Sequence, residues 1–523
     1  MKMKGLKSAI FASLAVMTLA CNPRQEINDI DPVTSGNGAI TFDLSLGSYN
    51  HPRAILRADE EILRDKAKLN TINGLRVVLY KDNDQGEPGE VAYAFDKDIY
   101  AFRGVRKGAD LLNPDDTAGV FSVTGIDGIE PANYTLYFFA TPSQALIQAT
   151  QPGKDFGEIK RPLMIDFADK FITGQDMGYH RALYSSASNI DSPIKVSEEA
   201  LLKSVASNPI KLGGITLRAL DGIAIAKLDI DQAKQAPSGV IIGEPHYFYP
   251  DVLNKSVILF PTLDKDVEKN LSIPKDDNYD GMEGWSETQL AEAFQYNPIS
   301  ASALTSTWLK TKDDITDPII LPENTTAPGL LSNRVVTRLV ARLNVMPTSQ
   351  EEGFAIKDNT SWFSYKGKNY SWAEFEEKYT AAATKNNNGT TITKEEKALL
   401  EIGLTINKAL NKGSIVPKYG DKLPAVPAEG YDSKDLKIYT WGDSYFSIPI
   451  RHYSDEVTKS LKTIGRYGVV RNTLYLITIT SITHIGAPTY DSLPKETNYA
   501  AAVTSDLSID FEDRNLIKNE VDL

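Results

Sequence analysis

The side chains able to do chemistry are few. Cys21 is the only cysteine, and it follows Thr18-Leu19-Ala20, small and apolar residues at the end of an apolar run. This arrangement resembles a lipobox, in which the thiol is acylated and the cysteine becomes the mature N-terminus. The other reading is a plain signal peptide with a chance cysteine. With no second thiol there is no disulfide, so stability has to come from core packing. Five histidines (His51, His180, His246, His452, His484) show no metal-ligand spacing, and structural roles are predicted for them. Asp276, Asn278, Asp280, Gly281 and Glu287 satisfy the spacing of a calcium loop, with oxygen donors at alternate positions and glycine at the bend. Pro274 argues against an incoming helix, and Glu283 stands where such loops place an apolar residue. No metal is therefore assigned. There is no Gly-x-Ser-x-Gly elbow, no phosphate-binding glycine loop and no cysteine outside the processing site, so neither a catalytic set nor a cofactor is expected. A secreted hydrolase would rest on scattered carboxylates alone.

The chain start gives these residues a compartment. Lys2, Lys4 and Lys7 precede an apolar segment, Ala9 to Leu19, that is too short for a stable membrane span, which is the pattern of an export signal. A formal charge of -13 over 523 residues argues against nucleic acid or an anionic membrane surface as a partner. Attachment to the outer membrane would rest on the lipid at Cys21.

The elements that follow are mostly strands. After a tether rich in Asn, Asp, Pro and Gly (22–38), Ile40, Phe42, Leu44 and Leu46 alternate with polar residues, the period-two pattern of a strand with one buried face. Arg53-Ala54 and Arg57-Ala58 then offer two basic sites in a segment without structural signals, where proteases cut. Leu75 to Tyr80, Gly119 to Val123 and Tyr134 to Ala140 read as strands, with a turn at Lys81 to Gly86 and a helix at Glu198 to Val205. Further strands are predicted from Ile215, through Ile223 to Ile230, over Arg338 to Val345 and over Leu474 to Ile485. Ser286/Gln289, Ser371/Glu374 and Thr393/Glu396 have capping-box spacing, and Lys385 to Thr390 reads as an exposed loop. Near the end Leu507, Ile509 and Phe511 alternate again with polar residues.

The alternating segments 40–46 and 507–511 could occupy the same groove. If cleavage after Arg53 or Arg57 releases the first, a neighbour's tail can replace it by strand addition. Burying three or four such side chains contributes roughly 5–10 kcal/mol before entropic costs. On pattern alone, both segments could equally be ordinary edge strands of their own domains.

A family resemblance bears on that choice. Asp443 to His452, Tyr467 to Tyr475 and Ile482 to Pro488 resemble the C-terminal signature of the Bacteroidetes fimbrillins, the subunits of type V pili. The lipobox, the Arg-Ala sites, the Leu228-containing strand and the ending Val521-Asp522-Leu523, similar to that of the major fimbrillin of short fimbriae, extend the likeness. Thr473 departs from it, standing where relatives often carry His.

The resemblance implies a mainly β chain of two transthyretin-like sandwiches. Its expected parts are a signal peptide (1–20), a lipidated propeptide (21–57), two sandwiches (58–212 and 213–506) and a donor strand (507–523). It implies a lipoprotein precursor at the outer membrane, an arginine-specific trypsin-like protease acting at Arg57 in preference to Arg53, and partnership with further copies and with anchor and tip subunits. The donor strand favours a stalk role. The competing expectation is a monomeric surface lipoprotein that binds glycan or protein.

Overall fold

The computed structural model describes residues 38–46, 74–97, 120–164, 183–186, 193–228, 239–280, 282–296, 309–310, 319–332, 334–411, 419–420, 422–453, 463–482, 484–494 and 507–510. The architecture is mainly β. The first sheet contains β1 (Gly38–Leu46), β2 (Leu75–Asp82), β3 (Pro88–Lys97), β4 (Val120–Ile129), β5 (Tyr134–Ala140), β6 (Tyr184–Ser185), β7 (Ile194–Val196) and β8 (Ile210–Ala219). Their order is β3-β2-β5-β6-β8-β1-β4, with β7 also paired to β5.

β6 is only two residues long, so the sheet falls into two halves that face each other. Between them lie Phe42 and Leu44 of β1, Val77 and Leu79 of β2, Leu136 and Phe138 of β5, and Leu217 of β8. The opposite faces of β2 and β5 also bury apolar residues: Val78, Tyr80, Tyr137 and Phe139 pack with Leu146 and Phe156 in a second cluster. This two-sided burial explains why the sequences Leu75 to Tyr80 and Tyr134 to Ala140 are apolar almost throughout instead of alternating. The predicted turn forms as well, with Asn83 Oδ1 accepting from the amides of Gln85 (2.9 Å) and Glu87 (3.0 Å).

Strand β8 runs through the expected 212/213 break. The chain passes to the next layer at Leu220, between β8 and β9 (Asp221–Leu228). The second sandwich has two four-stranded sheets. One orders β11 (Ile319–Pro322), β9, β14 (Leu474–Ile482) and β15 (Leu507–Asp510). The other orders Leu309–Lys310, β10 (Val240–Asp251), β12 (Arg338–Pro347) and β13 (Asp443–Pro449). Between them pack Ala224, Ile319, Phe248, Leu343, Ile448 and Ile477.

Residues 348–442 are inserted between β12 and β13. They hold a small four-stranded sheet and the helices α2 (Trp372–Asn387) and α3 (Lys394–Leu410), following α1 (Glu287–Ala293) earlier in the chain. Their own core joins Phe363, Phe375, Tyr379, Leu400 and Ile406. The boxes Ser286/Gln289 and Thr393/Glu396 form on both sides. Ser371 caps α2 without a side-chain bond, and the reciprocal half of the box is missing too: the Ser371 amide donates to the Phe354 carbonyl at 3.3 Å, while Glu374 accepts from the amide of Ala355 at 2.7 Å. The predicted loop at Lys385 is in part the last turn of α2, which runs on to Asn387 before the turn begins. Among the described residues no helix is long and apolar enough to cross a membrane.

Candidate assembly site

Strand β1 is an interior strand. It pairs parallel with β8, from Ile40 opposite Ile210 to Leu46 opposite Leu217, and antiparallel with β4, from Gly38 opposite Ile129 to Ser45 opposite Val120. Ile40, Phe42 and Leu44 point into the first core, where Phe42 meets Phe138 edge-on at 4.9 Å between ring centres. Asp43 faces outward. β4 can follow β1 closely because residue 125 is glycine: a Cβ there would lie 2.8 Å from the Ile40 carbonyl oxygen. The N-terminal end of β1 is fixed by the Ala39 amide, which donates to Ser204 Oγ at 2.9 Å. Taking β1 away would therefore uncover a slot bordered by two unsatisfied strand edges, not merely one.

The other alternating segment is placed differently. β15 lies at the edge of the second sheet of its own chain, antiparallel to β14, with Leu507 opposite Ile482 and Ile509 opposite Ile479. It has one neighbour over four residues, whereas β1 has two neighbours over nine. Cys21, Arg53, Arg57 and Phe511 lie outside the described residues.

Several residues of the calcium-loop spacing have partners within the chain. Asp276 accepts from the Asn278 amide at 2.8 Å, Asp280 lies 3.6 Å from Lys275 Nζ, and Glu287 is ion-paired with Arg334. Pro274 sits in a strand, Leu271–Lys275, and Gly281 is outside the described residues. Full burial, with Glu323 nearby, holds the Asp276 carboxyl well above the usual carboxylate range. Among the described residues no three of His, Cys, Asp and Glu gather as a metal set. His452 is buried, its Nδ1 lies 3.1 Å from Tyr475 Oη, and desolvation pushes its pKa down to about 3.

The C-terminal signature proves to be a packing device. Arg471 donates through Nε to both carboxylate oxygens of Glu323 (2.9 Å each) and through a terminal nitrogen to the carbonyl of Ile258 (2.7 Å). Tyr475 Oη accepts from the Val470 amide at 2.8 Å, and Tyr445 and Ala487 exchange backbone bonds of 2.8 and 2.9 Å. The importance of Glu323 was not visible in the sequence, since it lies 148 residues from its partner and in no motif.

Fold and site together define a β-sandwich protein whose first core is completed by a strand from the chain's own N-terminal segment. Residues 437–520 match the family model described as "Major fimbrial subunit protein type IV, Fimbrillin, C-terminal". Among solved structures, the chain is similar to a putative cell adhesion protein from Parabacteroides distasonis (11% identity, TM-score 0.38, 91% of this chain and 96% of that one). It is also similar to a fimbrillin (FimA) from Porphyromonas gingivalis, at 12% identity and TM-score 0.36, over 87% of this chain and 92% of that one. The tip fimbrial protein Mfa3 from the same organism matches at 10% identity and TM-score 0.29, over 61% of this chain and 84% of that one. No curated protein matches the chain.

Proposed function

We propose that the chain is a non-enzymatic stalk subunit of a cell-surface fimbria, polymerised by strand exchange. In this reading the precursor is acylated at Cys21, held at the outer membrane and cut by an arginine-specific protease after Arg57 or Arg53. Residues 507–511 of one copy then fill the place vacated by β1 in the next. The division into a signal peptide (1–20), propeptide (21–57), two sandwiches (58–212 and 213–506) and donor (507–523) belongs to the same proposal, with the working boundary between the sandwiches moved to Leu220.

The observation that carries it is the interior position of β1. Ile40, Phe42 and Leu44 together supply roughly 5–8 kcal/mol of burial to the first core, and the loss of this strand leaves two adjacent edges for main-chain pairing. β15, with a single neighbour, is the weaker-held of the two segments, which suits a segment that has to leave its own sheet. Its pairing within its own chain is also what favours the alternative, a monomeric surface lipoprotein that binds glycan or protein.

Limited trypsin digestion separates the two. Shortening at Arg53 or Arg57 followed by SDS-resistant ladders, lost on deletion of 507–523, is expected of the subunit. A cut chain that stays monomeric selects the alternative.

A further inference from the structure

The sequence of β1 recurs near the end of the chain. Gly38-Ala39-Ile40-Thr41-Phe42-Asp43-Leu44-Ser45-Leu46 and Ala501-Ala502-Val503-Thr504-Ser505-Asp506-Leu507-Ser508-Ile509 share Ala, Thr, Asp, Leu and Ser at the same five of nine positions. Val503 and Ile509 match Ile40 and Leu46 in kind. We propose that 501–509 of a second copy, running in the same direction as β1, fill the slot between β8 and β4. This rests on the strand-exchange reading and fixes its register: Leu507 and Ile509 take the places of Leu44 and Leu46. Residues 501–506 lie outside the described residues, and the inference stands on the geometry of the slot that would receive them.

The narrow end of the slot selects this register. Ala39 is 2% exposed, and a Cβ on residue 38 would lie 2.5 Å from the Ile129 carbonyl oxygen and 2.8 Å from Leu201 Cδ2. Only small side chains suit that end, and Ala501-Ala502 supply them. Setting Leu507, Ile509 and Phe511 on Ile40, Phe42 and Leu44 instead drives Ser505 into the place of Gly38 and the Asp506 carboxylate into that of buried Ala39, at the cost of burying a charge. Reversing the tail over the same positions puts Glu512 and Asp513 there. In the proposed register Asp506 takes the exposed place of Asp43, while Val503 and Leu507 take those of Ile40 and Leu44, 0% and 4% exposed. The shared direction keeps the parallel pairing with β8 and the antiparallel pairing with β4. It also brings the amide of Ala502 to Ser204 Oγ, which now accepts from that of Ala39.

One position breaks the match, and it has a consequence. Ser505 falls in the place of Phe42, which is 2% exposed and packed edge-on against Phe138, so the exchanged strand leaves a gap where that ring stood. β1 is therefore the tighter-fitting of the two strands. A tail cannot displace it while it remains tethered to its own chain, and cleavage is what removes the stronger competitor.

Disulfide trapping tests the register. Asp43 stands opposite Ser122 of β4, so Asp506 of one copy should face Ser122 of the next. Cys21, the only native cysteine, leaves with the cut segment. Cut chains carrying Ser122→Cys and Asp506→Cys should, on mild oxidation, give ladders that survive boiling and collapse with reductant. Ser122→Cys with Asp510→Cys, the pair expected of the other alignment, should give ladders that boiling disperses. Ser505→Phe restores a ring at the place of Phe42 and should slow dissociation of the ladder in SDS about tenfold or more. In the other alignment the same ring would be forced into the place of Gly38 and would block assembly. Ladders that lock through residue 510 in preference to 506, that form without locking through 506, or that are lost in Ser505→Phe overturn the register and leave strand exchange standing. Cut wild-type chains that form no ladder at all end both.

Discussion

At the scale of single residues, Arg471 and Glu323 offer the sharpest test of what the C-terminal signature does. Their side chains are 9% and 1% exposed, so removing one partner strands a buried charge. Arg471→Ala should cost about 3–5 kcal/mol of stability, read as a lower urea midpoint, whereas Arg471→Met combined with Glu323→Leu should recover most of the loss. His452 predicts a pH dependence of definite sign. Its folded pKa of about 3 lies below the ordinary 6.5, so the unfolded chain takes up the proton first. The stability it contributes is complete above pH 6.5 and declines as the pH falls from there toward 3, by up to about 1.4 kcal/mol per pH unit. Asp276 and Asp443, whose carboxyls burial holds high, work in the opposite sense, since their contributions are lost as the pH rises through their folded pKa values. The difference between the wild-type and His452→Gln stability curves isolates the histidine, and parallel curves from pH 4 to 7 would contradict its assignment. The pairing of Arg471 with Glu323 was not legible beforehand, because a buried ion pair is defined by a partner far along the chain.

At the scale of elements, Phe42→Ala in β1 should cost about 3–5 kcal/mol in the first core, with Phe42→Leu keeping most of it. Thermal unfolding followed by proteolysis should show residues 75–219 opening first while the second sandwich stays protected. β1 was readable because its one-sided burial produces strict alternation, and β5 was found with its bounds intact because an apolar run between turn residues permits little else. Two capping boxes were legible for a similar reason, each being a local bond between residues three apart. Ser371 shows where that logic ends: Glu374 has the right spacing, yet a tertiary contact with Ala355 takes its carboxylate.

At the scale of the whole molecule, strand exchange makes a demand that stoichiometry can check. A cut chain lacking 507–523 can accept but not donate, because its slot is open and its tail is gone. An uncut chain can donate but not accept, because β1 still sits between β8 and β4. Mixed in equal amounts, the two should stop at SDS-resistant dimers, and only cut, full-tailed chains should extend to ladders. The rate should also respond to salt. The chain carries a formal charge of -13, and residues 1–57 hold six Lys and Arg against four Asp and Glu, so the proposed removal of 1–57 would leave the subunit more acidic still. Like-charged subunits approach more readily when screened, and raising ionic strength from about 0.01 M to 0.15 M, which shortens the Debye length from about 30 Å to about 8 Å, should speed ladder growth. The completed joint, built from main-chain bonds and buried apolar side chains, should not loosen under the same change. Ladders from the cut, tailless chain alone would require a different contact between copies, and the exchange of β1 for 507–511 would have to be given up.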